Sequence, residues 1–117
     1  MLLIKEMMTE DKPRERLIEH GVETLSNYEL LAILLHTGTK SQSVIELSKQ
    51  VLHRFDQLKE LEKVSYQEWV MMPGIGMAKA CTLLAAVELT KRILQNREEK
   101  VAQIQTASDI YHHLKHQ

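Results

Sequence analysis

The stretch "VMMPGIGMAKA", Val70 to Ala80, places one proline and two glycines between two apolar segments. Glycine adopts positive φ without steric cost, so Gly74 and Gly76 allow the chain to reverse direction within a few residues. Pro73 fixes its own φ and stiffens the entry to the turn. The pattern therefore predicts a tight hairpin between two helices, the second of which begins at Met77.

Helix starts recur along the chain in the capping-box pattern, a serine followed three residues later by a glutamate. The pattern occurs at Ser26, Ser43 and Ser65. An earlier segment has Pro13 near its start and Gly21 at its end, which is the usual order for a short helix, and "DQLKELEKV" at 56–64 predicts a further helical turn. Because aromatic residues make up only 4% of the chain, these signals predict an all-α fold, a compact bundle of five to six short helices.

The part of the chain after the hairpin predicts a change of domain. "MAKACTLLAAVELTKRIL" contains no helix breaker, whereas the polar and charged "QNREEKVAQIQ" is typical of a linker. "TASDIYHHLKHQ" then indicates the start of another helix. We therefore expect a helical domain over 1–95, a charged linker over 96–105 and the start of a following, truncated domain over 106–117.

Composition limits the classes of function. A formal net charge of −1 and a pI near 6.6 exclude a strongly basic protein that coats nucleic acid, so any such binding must come from a local site. The lone Cys81 cannot form an intramolecular disulfide, and the apolar run before Lys5 is too short for a signal peptide or a membrane span. These features predict a cytoplasmic protein with no membrane partner.

The hairpin also has a chemical consequence. The first N–H groups of a helix lack intrahelical acceptors, and the positive end of the helix dipole favours an anion such as a phosphate. "PGIG" with the alanine four residues further on resembles the helix-hairpin-helix motif of non-sequence-specific DNA-binding proteins. The resemblance implies phosphate contacts from the hairpin backbone, a charge from a lysine, and a monovalent cation held by hairpin carbonyls. The residues concerned are Gly74, Gly76, Met77, Ala78 and Lys79. The alternative is a tight turn packed inside the domain.

A second, weaker hairpin is predicted upstream in "LLHTGTKSQSVIEL". If Gly38 is aligned with Gly74, Val44 falls on Ala80, but Lys40 replaces the second glycine. This alignment adds Gly38, Thr39 and Lys40 as secondary phosphate contacts. It also leaves open whether the two hairpins form a pseudo-duplicated pair or match by coincidence.

Several motifs in order extend the resemblance to most of the chain. "KPRERLIEHGVETLSNYELLAILLHTGTKSQSV", "MMPGIGMAKACTLLAAVEL" and "TASDIYHHL" resemble the N-terminal region of the bacterial RadC (UPF0758) family. The resemblance implies a fold of the RuvA C-terminal or helix-hairpin-helix type, which binds DNA weakly by contacting the DNA backbone. It further implies a following JAB/MPN-type domain, a zinc hydrolase fold with a His-x-His pair, an aspartate and a catalytic glutamate, as a partner of the helical domain.

Catalytic and metal sites are not expected in this chain itself. His112 and His116 have i,i+4 spacing but lack a third ligand nearby, so they are better interpreted as solvated residues of a terminal helix. Base-excision chemistry is disfavoured because Ala78 stands where some glycosylases have a lysine and "ILQNREEK" lacks an aspartate. The remaining rival is a protein-interaction module that positions the missing domain. Trp69 is interpreted as a core anchor, the pair Met71 and Met72 as core filling, and Cys81 as an inert buried thiol.

Overall fold

The computed structural model describes residues 12–115, with side chains described for residues 12–105. The predicted all-α class is confirmed. Helix α1 spans 12–20, α2 Asn27–Leu35, α3 Val44–Arg54, α4 Tyr66–Met71 and α5 Met77–Lys115. Short 3-10 helices occupy Val22–Thr24 and Gln57–Lys63, and an isolated antiparallel bridge pairs Thr39 with Gln42.

The serines of the three predicted capping boxes are the N-caps of α2, α3 and α4, and α2 and α4 have the full box. At α4 the box is reciprocal, since the Ser65 N–H donates to Glu68 Oε1 and the Glu68 N–H donates to Ser65 Oγ, both at 3.2 Å. At α3 the Glu46 N–H donates to Ser43 Oγ at 3.2 Å. Each bond satisfies an amide that the helix leaves without an acceptor, so the serines fix where the helices begin.

Glu29 near the start of α2 combines a cap with an ion pair. The Ser26 N–H donates to Glu29 Oε1 at 3.1 Å and the Ser26 hydroxyl donates to the same oxygen at 2.9 Å. Arg16 Nη1 of α1 lies 3.4 Å from Glu29 Oε2. The Ser26 backbone hydrogen bond lowers the pKa of Glu29; burial opposes this shift, while the Ser26 hydroxyl and the Arg16 charge reinforce it. The carboxylate therefore joins α1 to α2.

The core lies among α2, α3, α4 and the first turns of α5. Trp69 is fully buried and packs edge-to-face on Phe55, with ring centroids 4.9 Å apart, which confirms its interpretation as a core anchor. Its Nε1 has no hydrogen-bond partner among the described residues. The members of the core cluster are Leu31, Ala32, Leu35, Val44, Leu47, Val51, Leu52, Phe55, Val64, Trp69, Ile75, Ala80 and Leu83.

Residues 96–105, predicted to be a charged linker, are helical, and their role as a linker between domains stays a prediction. Residues 96–105 lie inside α5, which runs from Met77 to Lys115. The physical reason is that the segment has no glycine or proline and is rich in Glu, Lys, Gln, Arg and Ala, all good helix formers. Polarity indicated that the segment is solvated, and every side chain from Glu88 to Gln105 is exposed. A following domain after this helix stays a prediction.

Two side chains expected to be buried are exposed. Cys81, interpreted from its apolar surroundings as a buried thiol, is an exposed free cysteine. Of the methionine pair interpreted as core filling, Met72 packs against the core but Met71 is 81% exposed. Both errors have one cause: α4 and the start of α5 each present one face to the core, and neighbouring positions on a helix point in different directions.

The chain divides into two compact units, Met1–Ala85 and Ala86–Gln117. In the first unit α2 packs against α3, and α3 packs against the second 3-10 helix. In the second unit the described side chains include exposed apolar residues on a helix. They are Leu89, Ile93, Leu94, Val101 and Ile104. No helix of the described part is long and apolar enough to cross a lipid bilayer.

Candidate nucleic-acid interface

The chain between α4 and α5 is a five-residue turn. The Ile75 N–H donates to the Met72 carbonyl at 3.1 Å, and Gly74 adopts φ +93° in the left-handed region. Ile75 is 3% exposed and anchors the turn in the core. The Gly76 carbonyl accepts from the Ala80 N–H at 3.0 Å, which is the first hydrogen bond of α5. The turn is therefore held in place from both ends.

The two glycines of this turn have different structural roles. A Cβ added at Gly74 would lie 2.9 Å from Leu47 Cδ1 and 3.2 Å from Thr39 Cγ2. Gly74 is thus required by its φ and by close packing against α3. Among the described residues, and leaving aside Ile75 and Met77, no atom lies within 4 Å of a Cβ added at Gly76, and Gly76 is exposed. The fold itself therefore sets no steric requirement for glycine at position 76.

The predicted phosphate contacts lie at the N-terminus of α5. Met77 and Ala78 are exposed, and Lys79 is half-buried. In an α-helix the amides of these first positions point out of the helix end without intrahelical acceptors. Because Gly76 carries no side chain, the approach to these amides from its side is not covered. The arrangement suits a small anion at the start of α5.

The upstream turn, residues 36–43, lies directly beside this hairpin. Lys79 Nζ donates to Thr37 Oγ1 at 3.2 Å, and Thr39 Cγ2 faces Gly74. Lys40 is exposed next to Thr39 in the same turn. The structure thus brings together two groups of predicted site residues that are about 40 positions apart in sequence.

Gly38 has a packing role in the upstream turn. A Cβ at this position would lie 2.2 Å from the Gln42 carbonyl oxygen and 2.6 Å from the Val44 backbone nitrogen. Only glycine allows the backbone to approach itself this closely. Gly38 does not end α2: the helix ends at Leu35, and His36 takes the positive φ of +72°.

The alignment of Gly38 with Gly74 is consistent with the burial of the aligned residues but not with the lengths of the two turns. Val44 and Ala80 are both fully buried, and Leu47 and Leu83 are both buried. However, α3 begins at Val44 itself, three residues later than the alignment with Met77 predicts. The Thr39–Gln42 bridge overlaps residues 41 and 42, where the alignment would begin α3. The upstream turn is therefore longer than the hairpin at Gly74.

Two site neighbours were missed by sequence reasoning. Thr37 was not singled out, although it receives the hydrogen bond from Lys79, and Arg14 of α1 donates to the Nδ1 atom of His36 at the edge of the upstream turn. Thr37 could have been singled out from the sequence because it lies beside Gly38. Arg14 offered none, because its place depends on how α1 packs against α2.

Metal-binding residues do not assemble in the described side chains. Among residues 12–105 there is no group of three or more His, Cys, Asp or Glu placed to hold a metal ion. The side chains of His112, His113 and His116 lie outside the described residues.

Comparison with known proteins identifies close relatives. A family profile described as UPF0758 N-terminal matches residues 4–81. The UPF0758 protein YsxA of Bacillus subtilis is 52% identical over 102 residues, covering 86% of this chain and 44% of the relative. A UPF0758 protein of Staphylococcus aureus (strain Newman) is 46% identical over 107 residues, covering 92% of this chain and 47% of the relative.

The chain therefore spans less than half the length of these curated relatives. No solved structure matches it. The similarity covers α1 to α4, both turns and the start of α5, so the candidate interface lies within the matched region.

Proposed function

The chain belongs to the UPF0758 family, and from that premise we propose that it is a DNA-binding accessory domain that contacts phosphates without reading sequence. The contacts come from backbone amides of Gly74, Gly76, Met77 and Ala78 and from the Lys79 ammonium group. Gly38, Thr39 and Lys40 of the upstream turn add secondary contacts. Contacts of this kind fix position on nucleic acid and carry no base information.

One observation carries the proposal. Gly76 is exposed, and apart from its chain neighbours no described residue occupies the space where a side chain would begin. A glycine that packing does not require, at the start of a long helix, leaves the helix amides open to a ligand that needs close backbone approach. Gly74 and Gly38, which packing does require, carry no such argument.

Weak binding is expected because the net charge of the chain is −1. Long-range attraction is then small, and affinity depends on a few direct contacts. The DNA-binding role, a cytoplasmic location and a monovalent cation held by hairpin carbonyls are parts of the same proposal. We further propose that zinc and hydrolase chemistry of the JAB/MPN type belong to a further domain of the full-length protein, which this domain targets to DNA.

The second candidate function is a protein-interaction module that positions this further domain. Exposed apolar side chains at the hairpin favour it, since Met71 is 81% and Met77 is 69% exposed. Methionines on a surface adapt to varied protein partners. In this case the open space at Gly76 would be filled by a protein loop rather than a phosphate.

The test compares DNA binding by Gly76→Glu and Gly76→Gln with that of the wild type. There is space at position 76 for either side chain, and a carboxylate at a helix N-terminus is compatible with the helix dipole, so both variants should fold. The negative charge should repel phosphate. We expect wild type to bind duplex, single-stranded or branched DNA at low salt, with affinity reduced at least tenfold in Gly76→Glu and less in Gly76→Gln.

Fluorescence anisotropy over a salt series measures these affinities. A duplex contact with about two phosphates predicts a log–log salt slope near −1.8. If wild type binds no form of DNA at low salt, the DNA role is wrong and the interaction module is favoured. Equal affinities of the three proteins would show that DNA is bound elsewhere.

A further inference from the structure

Arg14 of α1 lies against the upstream turn of the candidate interface. Its guanidinium group donates to Nδ1 of His36, which caps the end of α2, and Thr37 next in the chain accepts from Lys79. Contacts therefore lead from α1 through the upstream turn to the hairpin. Arg14 and His36 are both exposed, so this edge is open to solvent.

The hydrogen bonds that Arg14 and Lys79 donate along this edge go to groups other than carboxylates. Arg14 donates to an imidazole nitrogen and Lys79 to a hydroxyl oxygen. Since guanidinium groups only donate, the His36 nitrogen is the acceptor in this contact. Within residues 12–105, neither Arg14 nor Lys79 nor Lys40 has a carboxylate within ion-pairing distance.

Two other arginines of the described chain are paired with carboxylates. Arg16 lies 3.4 Å from Glu29, and Arg92 Nε lies 2.9 Å from Glu88. A phosphate offered to either would compete with an existing carboxylate. At Arg14 it would replace a single ring nitrogen that carries no negative charge, and a phosphate adds both charge attraction and a bidentate geometry that the ring nitrogen does not offer. Glu15, the next residue of α1, does not share the face of Arg14, because adjacent helix positions diverge.

We propose that Arg14 is a further phosphate contact of the DNA-binding surface, extending it from the hairpin across the upstream turn to α1. The inference rests on the proposed function and adds a residue to it from a third segment of the chain. The surface then binds successive phosphates of one backbone, with Lys79 at the hairpin and Arg14 at the opposite edge of the turn. On binding, the Arg14 guanidinium leaves His36 and engages the phosphate.

The test measures salt dependence of duplex binding for Arg14→Gln, Arg14→Lys and the matched control Arg97→Gln. Arg97 is exposed in the second unit, and its substitution removes the same charge. Losing one phosphate contact should make the log–log salt slope shallower by about 0.9 and lower affinity. Arg14→Lys should keep the slope because it keeps the charge, and Arg97→Gln should leave the slope unchanged.

A second measurement uses the wild-type chain, so it does not depend on folding of a variant. Phenylglyoxal modification followed by mass spectrometry should show that duplex DNA protects Arg14 and does not protect Arg97. If wild type binds DNA and loses binding in Gly76→Glu, but neither the Arg14→Gln slope nor Arg14 modification changes, this inference is wrong and the proposed function stands. Equal slope changes in Arg14→Gln and Arg97→Gln would also overturn it. A wild type that binds no DNA overturns both proposals.

Discussion

Replacing each glycine of the hairpin by alanine should have sharply different effects on stability. At Gly74 the φ of +93° is strained for any residue with a Cβ, at a cost of about 1–2 kcal/mol. The new methyl would also lie 2.9 Å from Leu47 Cδ1, whose side chain is fully buried and has little room to move. Overpacking of this kind costs about 1–3 kcal/mol. Gly74→Ala should therefore destabilise the first unit by about 2–5 kcal/mol.

At Gly76 the same substitution meets open space. Alanine is a poorer residue than glycine at a helix start, but it also reduces the conformational freedom of the unfolded chain, and the two effects offset each other. The net change in the free energy of unfolding should stay below about 1 kcal/mol. For a domain of this size, a difference of 2 kcal/mol between the variants separates their melting temperatures by roughly 8–16 °C.

Thermal unfolding followed by circular dichroism, with urea unfolding as a second probe, measures the difference. Wild type, Gly74→Ala and Gly76→Ala should give the order wild type ≈ Gly76→Ala > Gly74→Ala. Melting temperatures of the two variants within about 2 °C of each other would refute the assignment of separate roles to the two glycines. The assignment matters because the proposed function depends on Gly76 being dispensable for folding.

Two further predictions concern the first unit. Glu29→Gln keeps an acceptor for Ser26 but loses the charge and the Arg16 pair, so it should lower the free energy of unfolding by about 1 kcal/mol at pH 7. The pKa of Glu29 is lowered in the folded state. The stabilisation from its charge is therefore present above the unfolded pKa and is lost as pH falls through the folded pKa. Urea unfolding from pH 7 to pH 3 should show the two proteins converging in acid, and a constant gap would contradict the role of the charge. Cys81 is exposed, so Ellman's reagent should modify it in the native state nearly as fast as in the urea-unfolded chain, whereas at least 100-fold protection would contradict its exposure.

Local signals in the sequence predicted the helix starts well. Ser26, Ser43 and Ser65 precede helices in the structure because a cap is a contact between residues three apart, which the sequence contains in full. The turn at Gly74 was predictable for the same reason. Burial of Trp69 followed from its size and from the amphipathic pattern around it.

Features that depend on tertiary packing were not predictable. The contact of Arg14 with His36 requires α1 to lie on α2, and the contact of Lys79 with Thr37 requires the two turns to pack together. The exposure of Cys81 depends on which face of α5 meets the core, and the apolar residues of that segment are spread over several faces. The helical state of residues 96–105 was missed because polarity reports solvation and does not by itself report backbone conformation.

The single tryptophan gives the protein an internal optical reporter. Trp69 lies at 0% exposure against Phe55, at the base of the hairpin, so its emission should shift to longer wavelength when the first unit unfolds. Residues 86–105 contain no aromatic side chain, so this signal does not respond to local fraying of the helix there. Fluorescence and far-ultraviolet circular dichroism, recorded on one sample, therefore separate unfolding of the first unit from unfolding of the part of α5 in the second unit.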